Sequence, residues 1–235
     1  MPGIQTNTGV WPSVAGLLLS RAALMRVWEG SLNLIFPPRC AGCGRVDEQW
    51  CARCRDELDA VPLTLTERDV EGIVVVSTGA HTDRLRRAVQ ALKYENRTVL
   101  RDSLGKRLSA GFQAVNWPVD AVVPVPLHPS RLATRGYNQA QLLAEEVASS
   151  FSLPCLPMAV QRLRDTRSQV ELNQVQRQQN MINAFAADSH DLVGKTILII
   201  DDVCTTGATL TACARAALDA GARAVYGLTV TTANR

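Results

Sequence analysis

At 235 residues, with 46% hydrophobic and 20% charged side chains, the chain is long enough to bury a real core and reads as globular. The net charge of +3 excludes a uniformly polybasic binder, yet residues 82 to 135 hold ten Lys/Arg against four acids, a net +6 that leaves −3 elsewhere. Seven cysteines, four of them clustered, favour metal over disulfides in a reducing compartment.

In chain order, the first element is an apolar leader over 1–35. Its longest nearly uncharged run, Gly9 to Ser20, is too short to span a bilayer and is followed by Arg21 and Arg26. No basic stretch precedes it, so neither a signal peptide nor a membrane span is expected, and a cytoplasmic protein with a docked amphipathic helix is. Phe36-Pro37-Pro38 interrupts that helix. The module over 36–62 carries Cys40-x2-Cys43-x7-Cys51-x2-Cys54, two thiolate pairs that make a closed tetrahedral site for structural Zn²⁺. Val46 is the one aliphatic residue between the two pairs, so metal binding is expected to supply most of this module's folding energy.

The remainder, 63–235, alternates β-branched runs with helical patterns. Ile73 to Val76 reads as a strand, and Leu85, Ala88, Val89 and Leu92 then fall on one helix face, with Arg84, Arg86, Arg87 and Lys93 mostly off it. A second helix carries Leu100, Leu104 and Leu108 inward. Strand Ala121 to Val123, a Pro-rich loop, and a helix from the N-cap Asn138 to Ser149 follow. Residues 155 to 160 read as another strand and 173 to 182 as a short polar helix. Ile197 to Ile200, a helix over Leu210 to Ala220 stopped by Gly221, and a strand over Ala224 to Thr231 complete the chain. Apolar strands without period-two alternation, separated by helices, indicate an open, mainly parallel α/β sheet covered on both faces.

In such sheets ligands sit beyond the carboxyl ends of the strands, which is where ILIIDDVCTTGAT (197–209) places its chemistry. Thr205, Thr206, Gly207, Ala208 and Thr209 form a turn feeding a helix, offering free N–H groups, a helix dipole and hydroxyls to a phosphate monoester. Asp201 and Asp202 would repel that phosphate, so they suit sugar hydroxyls and a hydrated Mg²⁺ instead. Phosphoribosyl pyrophosphate combines all of these groups. Neither a Walker loop nor a dinucleotide fingerprint occurs.

That segment resembles the ligand loop of type I phosphoribosyltransferases. PPRCAGCG, ALKYENR, VVPVPLHPSRLATRGYNQAQLLAEE, RDTRSQVELNQVQRQQNMINAF and the acidic loop together resemble the ComF/GntX family. The resemblance implies a type I phosphoribosyltransferase fold with an N-terminal four-cysteine zinc module. It implies a diphosphate loop at Leu127, His128, Ser130, Arg131 and Arg135, with Arg131 joining Asp201 and Asp202 in catalysis. It also implies a closing loop containing Arg162, Arg164, Arg167 and Gln169. His128 suits either the diphosphate or the turn itself. Cys204, beside a helix N-terminus, reads as packing rather than as an acidic thiol, and Cys155 and Cys213 read as core.

Three functions stay open at this point: transfer of phosphoribose to a nitrogenous acceptor, association with single-stranded DNA or the DNA-uptake machinery, and sensing of the ligand without turnover. For the second, the candidate contacts are Arg84, Arg87, Lys93, Arg97 and Arg101, with Trp50, Tyr94 and Tyr137 for stacking. Self-association is also left open.

Overall fold

The protein is described by a computed structural model, which covers residues 37–46, 48–164 and 184–233. The leader helix over 1–35, the polar helix over 173–182, Arg167 and Gln169 lie outside the described residues. From Arg39 onward the chain forms one compact unit.

Helix α1 (Ala52–Asp59) starts at Cys51, whose extended backbone makes it the N-cap, and an Arg53–Glu57 pair at 2.8 Å braces its exposed face. Its inward residues, Cys54 and Leu58, are four apart. Strand β1 (Thr66–Val70), which the sequence reading lacks, runs antiparallel to β2 (Ile73–Ser77). They are joined through Glu71 and Gly72, both at positive φ, a tight hairpin turn in which Asp69 Oδ1 accepts the Gly72 N–H at 2.8 Å.

Helices α2 (Asp83–Tyr94) and α3 (Leu100–Val115) bury the residues their periodicity selects, with Leu92, Leu100, Leu104 and Leu108 fully enclosed. Next come β3 (Ala121–Pro124), a short α4 (Pro129–Arg135) and α5 (Gln139–Phe151), whose N-cap Asn138 accepts the Ala140 N–H as expected. The strand expected over 155–160 is displaced. Cys155 makes one isolated bridge to Val122, and β4 (Val160–Arg162) pairs instead with β5 (Phe185–Ala187). A one-turn α6 (Ser189–Leu192), β6 (Thr196–Cys204), α7 (Ala208–Asp219) and β7 (Ala224–Thr232) complete the order.

Among the described residues the main sheet has the order β1-β2-β7-β6-β3, parallel from β2 to β3 with β1 antiparallel at one edge. Successive residues of β6 divide between the two faces, as the pleat requires. Leu198 and Ile200 join the core formed with α2, α3 and α5, while Ile197 and Ile199 join the core under α7. β6 also runs farther than its aliphatic stretch, because the threonine-rich tail of β7 keeps pairing with it through Cys204↔Thr232. The two aspartates therefore sit within the strand's last residues rather than after it.

The cysteine module shares the first core. Cys40, Ala41, Trp50, Cys51, Cys54 and Leu58 pack with Leu85, Ala88 and Leu92. Much of the basic block serves this junction. Arg87 donates to the Ala41 carbonyl and pairs with Glu95, Arg84 pairs with Glu57, and Arg97 donates to the Arg39 carbonyl. Arg107 donates to the carbonyls of Val61 and Pro62, each at 2.7 Å, and to that of Thr78, tying the segment after α1 to the end of β2. Burial lowers its pKa. Trp50 is buried and so offers no face to a nucleic-acid base.

Candidate functional site

A cavity of about 380 Å³ opens at the carboxyl ends of the parallel strands. Asp201, Asp202, Thr205 and Thr209 come to it from β6 and the turn after it, Leu127, Arg131 and Arg135 from the segment after β3, and Arg162 from β4. Residues far apart in sequence thus line one space. Thr206, Gly207 and Ala208 complete the turn behind Thr205, with Gly207 at φ +85°. A Cβ at Gly207 would lie 2.3 Å from a methyl of Val70, so β1 forms the back of the turn. Arg68 of β1 donates to the Thr205 carbonyl at 3.0 Å and to the Thr232 hydroxyl at 3.2 Å, fixing the turn from the same side.

His128 and Ser130 do not line the cavity. His128 Nδ1 lies 2.8 Å from Ser130 Oγ and accepts the Ser130 N–H, so the imidazole fills the turn as the N-cap of α4. Arg135 donates to Gln139 and sits over the Tyr94 ring, 5.4 Å from its centroid. Arg164 is exposed beyond β4, and its carbonyl accepts from Arg162. Arg84, Arg87 and Arg97 lie at the module junction, and Arg101 contacts Asp102 at 3.4 Å.

Lys93 departs from its expected outward position. It turns into the cavity and its ammonium meets Asp202 Oδ1 at 2.7 Å. Burial alone would lower its pKa, but Asp202 and then Asp201 outweigh that and raise it. The lysine is therefore charged. Asp202 is 1% exposed, and its Oδ2 has no hydrogen-bond partner among the described residues. Asp201 is partly exposed at the wall, accepts the Asp202 N–H at 2.8 Å, and has its carboxyl raised to about 7, first by desolvation and then by Asp202. Cys204 is buried and its thiol is pushed up by desolvation, which removes the prospect of an acidic thiol.

The Asp201 shift has a consequence for stability. Below about pH 4 the carboxyl is protonated in both the folded and unfolded chain; between about 4 and 7 only the unfolded chain releases the proton, so stability falls over that window and is level above it. Asp201→Asn is thus expected to stabilise the protein at pH 8, with the gain vanishing toward pH 4. Urea unfolding of both proteins across pH 4 to 8 measures this. A gain independent of pH would contradict the assignment.

Sequence reasoning missed His81 and Gln90 as cavity residues and gave Lys93 another task. The strand-end rule, applied to β2 as it was to β6, would have found His81.

Matches to known proteins follow the same division of the chain. Residues 134–234 match the phosphoribosyl transferase domain and residues 31–64 the double zinc ribbon domain. The latter span includes Cys40, Cys43, Cys51 and Cys54, whose four Sγ atoms lie within 4.8 Å of one another and so form a closed thiolate site suited to one structural zinc ion. The chain is 28% identical over 195 residues to competence protein F of Haemophilus influenzae, covering 77% of this chain and 85% of that protein. It is 32% identical over 160 residues to the DNA utilization protein YhgH of Salmonella typhimurium, covering 64% and 68%. A solved structure, the glutamine phosphoribosylpyrophosphate amidotransferase from B. subtilis complexed with ADP and GMP, is 21% identical with a TM-score of 0.40 over 57% of this chain and 26% of that one. The chain thus spans about a quarter of that enzyme's length. With a zinc ribbon match over its thiolate cluster, a phosphoribosyl transferase match that includes both cavity aspartates and the glycine turn, and such relatives along most of its length, this is a type I phosphoribosyltransferase fold and the chain belongs to the ComF family.

Proposed function

We propose that the cavity binds phosphoribosyl pyrophosphate with Mg²⁺, and that the protein transfers phosphoribose to a nitrogenous acceptor in a cytoplasmic role linked to DNA uptake or nucleotide salvage. The observation that carries this reading is the convergence, on one cavity, of two aspartates, a hydroxyl-bearing glycine turn at a helix N-terminus, and three arginines. A 5-phosphate suits the turn, since N–H groups at the head of α7 point the helix dipole at an anion. Asp201, partly exposed on the cavity wall, suits a ribose hydroxyl, with buried Asp202 behind it held by Lys93. Arg131 and Arg135 supply forked donors for the diphosphate, and Lys93 adds a fixed positive charge beside the acids.

The donor set also fits magnesium, because Asp201 presents a partly exposed carboxylate to the space the ligand would share. Magnesium on the diphosphate, reached by Asp201 through water, would supply charge neutralisation to the leaving group. The chain's own part is to orient C1 of the ribose, to meet the departing charge with arginines, and to exclude water. Tyr94, 74% exposed beside Arg135, gives the cavity rim a flat face for a planar acceptor.

Calorimetric titration with phosphoribosyl pyrophosphate and Mg²⁺ tests the reading. Each lost charged hydrogen bond costs about 1.5–3 kcal/mol, so the Asp201→Asn, Asp202→Asn protein is expected to bind at least ~100-fold more weakly. Equal affinities would place the ligand elsewhere. Because Asp201→Asn alone is expected to stabilise the fold, its own loss of binding could not be laid to unfolding.

A further inference from the structure

His81 is one of three histidines in the chain, and among the described residues it is the only histidine that lines the cavity. It follows β2 at the sheet's carboxyl edge, where the backbone continues strand-like along β7. The His81 N–H donates to the Thr232 carbonyl at 2.8 Å, the Thr232 N–H donates to Gly79 at 2.9 Å, and Ala80 bridges Thr232. Its Cα is therefore anchored from both sides.

The ring is anchored as well. Nδ1 lies 2.8 Å from the Thr231 hydroxyl oxygen, which in turn lies 3.5 Å from the Asp202 carbonyl oxygen. With the proton on Nδ1, the ring donates to the hydroxyl oxygen and the hydroxyl turns its own proton to the Asp202 carbonyl; with the proton on Nε2, the hydroxyl donates to the ring. Proton acceptance from the cavity requires the first arrangement. In it Nε2 is left with a lone pair, and nothing among the described residues hydrogen-bonds it. Three charged groups surround the ring. Burial, then Lys93 and Arg86, lower its pKa, while Asp202 opposes them; the neutral form prevails at physiological pH.

Resting on the transfer reading above, we propose that His81 is the proton acceptor of the reaction, taking the proton from the attacking nitrogen. As the nitrogen bonds to C1 of the ribose, the C1–oxygen bond to diphosphate breaks and the diphosphate leaves with its electron pair. The N–H proton passes to Nε2, and the imidazolium later returns it to water. Of the other titratable groups lining the cavity, the arginines and Lys93 are cations, Asp202 is held by Lys93, and Tyr94 lies under Arg135; Asp201 is the group assigned above to magnesium. Thr231 is a positioning residue, acting only through the ring.

Two measurements test this. Ring ¹⁵N spectra of the full-length protein are expected to show His81 neutral with the proton on Nδ1 at pH 7.5, and Thr231→Val to erase that preference. Three histidines make the assignment tractable. An imidazolium, or a proton on Nε2, overturns the proposal. In the second, diphosphate release from phosphoribosyl pyrophosphate and Mg²⁺ is followed with adenine, hypoxanthine, guanine, uracil and orotate as probes. His81→Gln is expected to bind phosphoribosyl pyrophosphate within about twofold of the parent while kcat falls at least ~100-fold, and imidazole in solution to restore part of the rate of His81→Ala. Undiminished kcat, or affinity lost in step with it, overturns the proton-accepting role. Parent protein that binds the ligand but shows no acceptor-dependent release overturns that role and spares the binding reading; parent protein that binds nothing overturns the binding reading itself.

Discussion

Removing zinc, by chelation or by Cys40→Ser, is expected to lower the melting temperature by more than ~10 °C and to weaken phosphoribosyl pyrophosphate binding as well. Structural zinc contributes about 10–16 kcal/mol of apparent folding free energy in small Cys/His modules, and this one has few aliphatic residues of its own to fall back on. Three of its four cysteines are buried, and the Cys51 N–H already donates to Cys40 Sγ at 3.3 Å. Desolvation works against a thiolate at Cys40, but N–H donors from Cys51, Cys43 and Gly42 prevail and bring it down to about 6. The loss would not stay local. Trp50 and Leu58 share a core with Leu85, Ala88 and Leu92 of α2, and the next residue, Lys93, holds Asp202 in the cavity. Metal content by mass spectrometry, melting temperature and calorimetric affinity, measured together before and after chelation, check both halves. Unchanged affinity in a zinc-free protein would show that the module and the cavity are independent.

The second large effect is expected at Gly207. Alanine there would meet φ +85°, a conformation that costs an L-residue about 1–2 kcal/mol. Its Cβ would also sit 2.3 Å from Val70 Cγ1 and 3.0 Å from Cγ2, an overpacking worth about 1–3 kcal/mol. Gly207→Ala should therefore lose about 3 kcal/mol, or roughly 6–12 °C in melting temperature. The turn would shift with it, so ribose 5-phosphate binding should fall below detection by calorimetry. Adding Val70→Ala relieves the clash but not the backbone strain, and should return part of the stability. A Gly207→Ala protein with unaltered melting temperature and affinity would refute this account of the turn.

Much of the architecture was legible because it follows from local periodicity. The α2 and α3 faces, the Asn138 cap and the β6–α7–β7 succession each announce themselves within a short stretch of chain. Strand β1 did not, since TERDV at a sheet edge is nearly all polar and owes its conformation to the hairpin turn and to β2. Lys93 was misjudged for a different reason. It stands at the border of the apolar stripe of α2, where helical spacing leaves a side chain free to go either way, and the deciding carboxylate lies far along the chain on β6. The arginines of α2 and the segment after it stood as candidate contacts for phosphate backbones, with a plain solvated face as the alternative. Arg84, Arg87 and Arg97 also bond partners inside this fold, information that only the tertiary structure holds.

The shared wall between the cysteine module and α2 also bears on how the protein could be taken apart. Starting the chain at Leu63 would strip Trp50 and Leu58 from Leu85 and Ala88, and would deprive Arg107 of the Val61 and Pro62 carbonyls it now satisfies. Such a fragment would present wet leucines and a guanidinium stranded beside β2, a recipe for clumping. Grafting a foreign ribbon onto the α/β half would succeed only if the inner faces of both helices travelled with it.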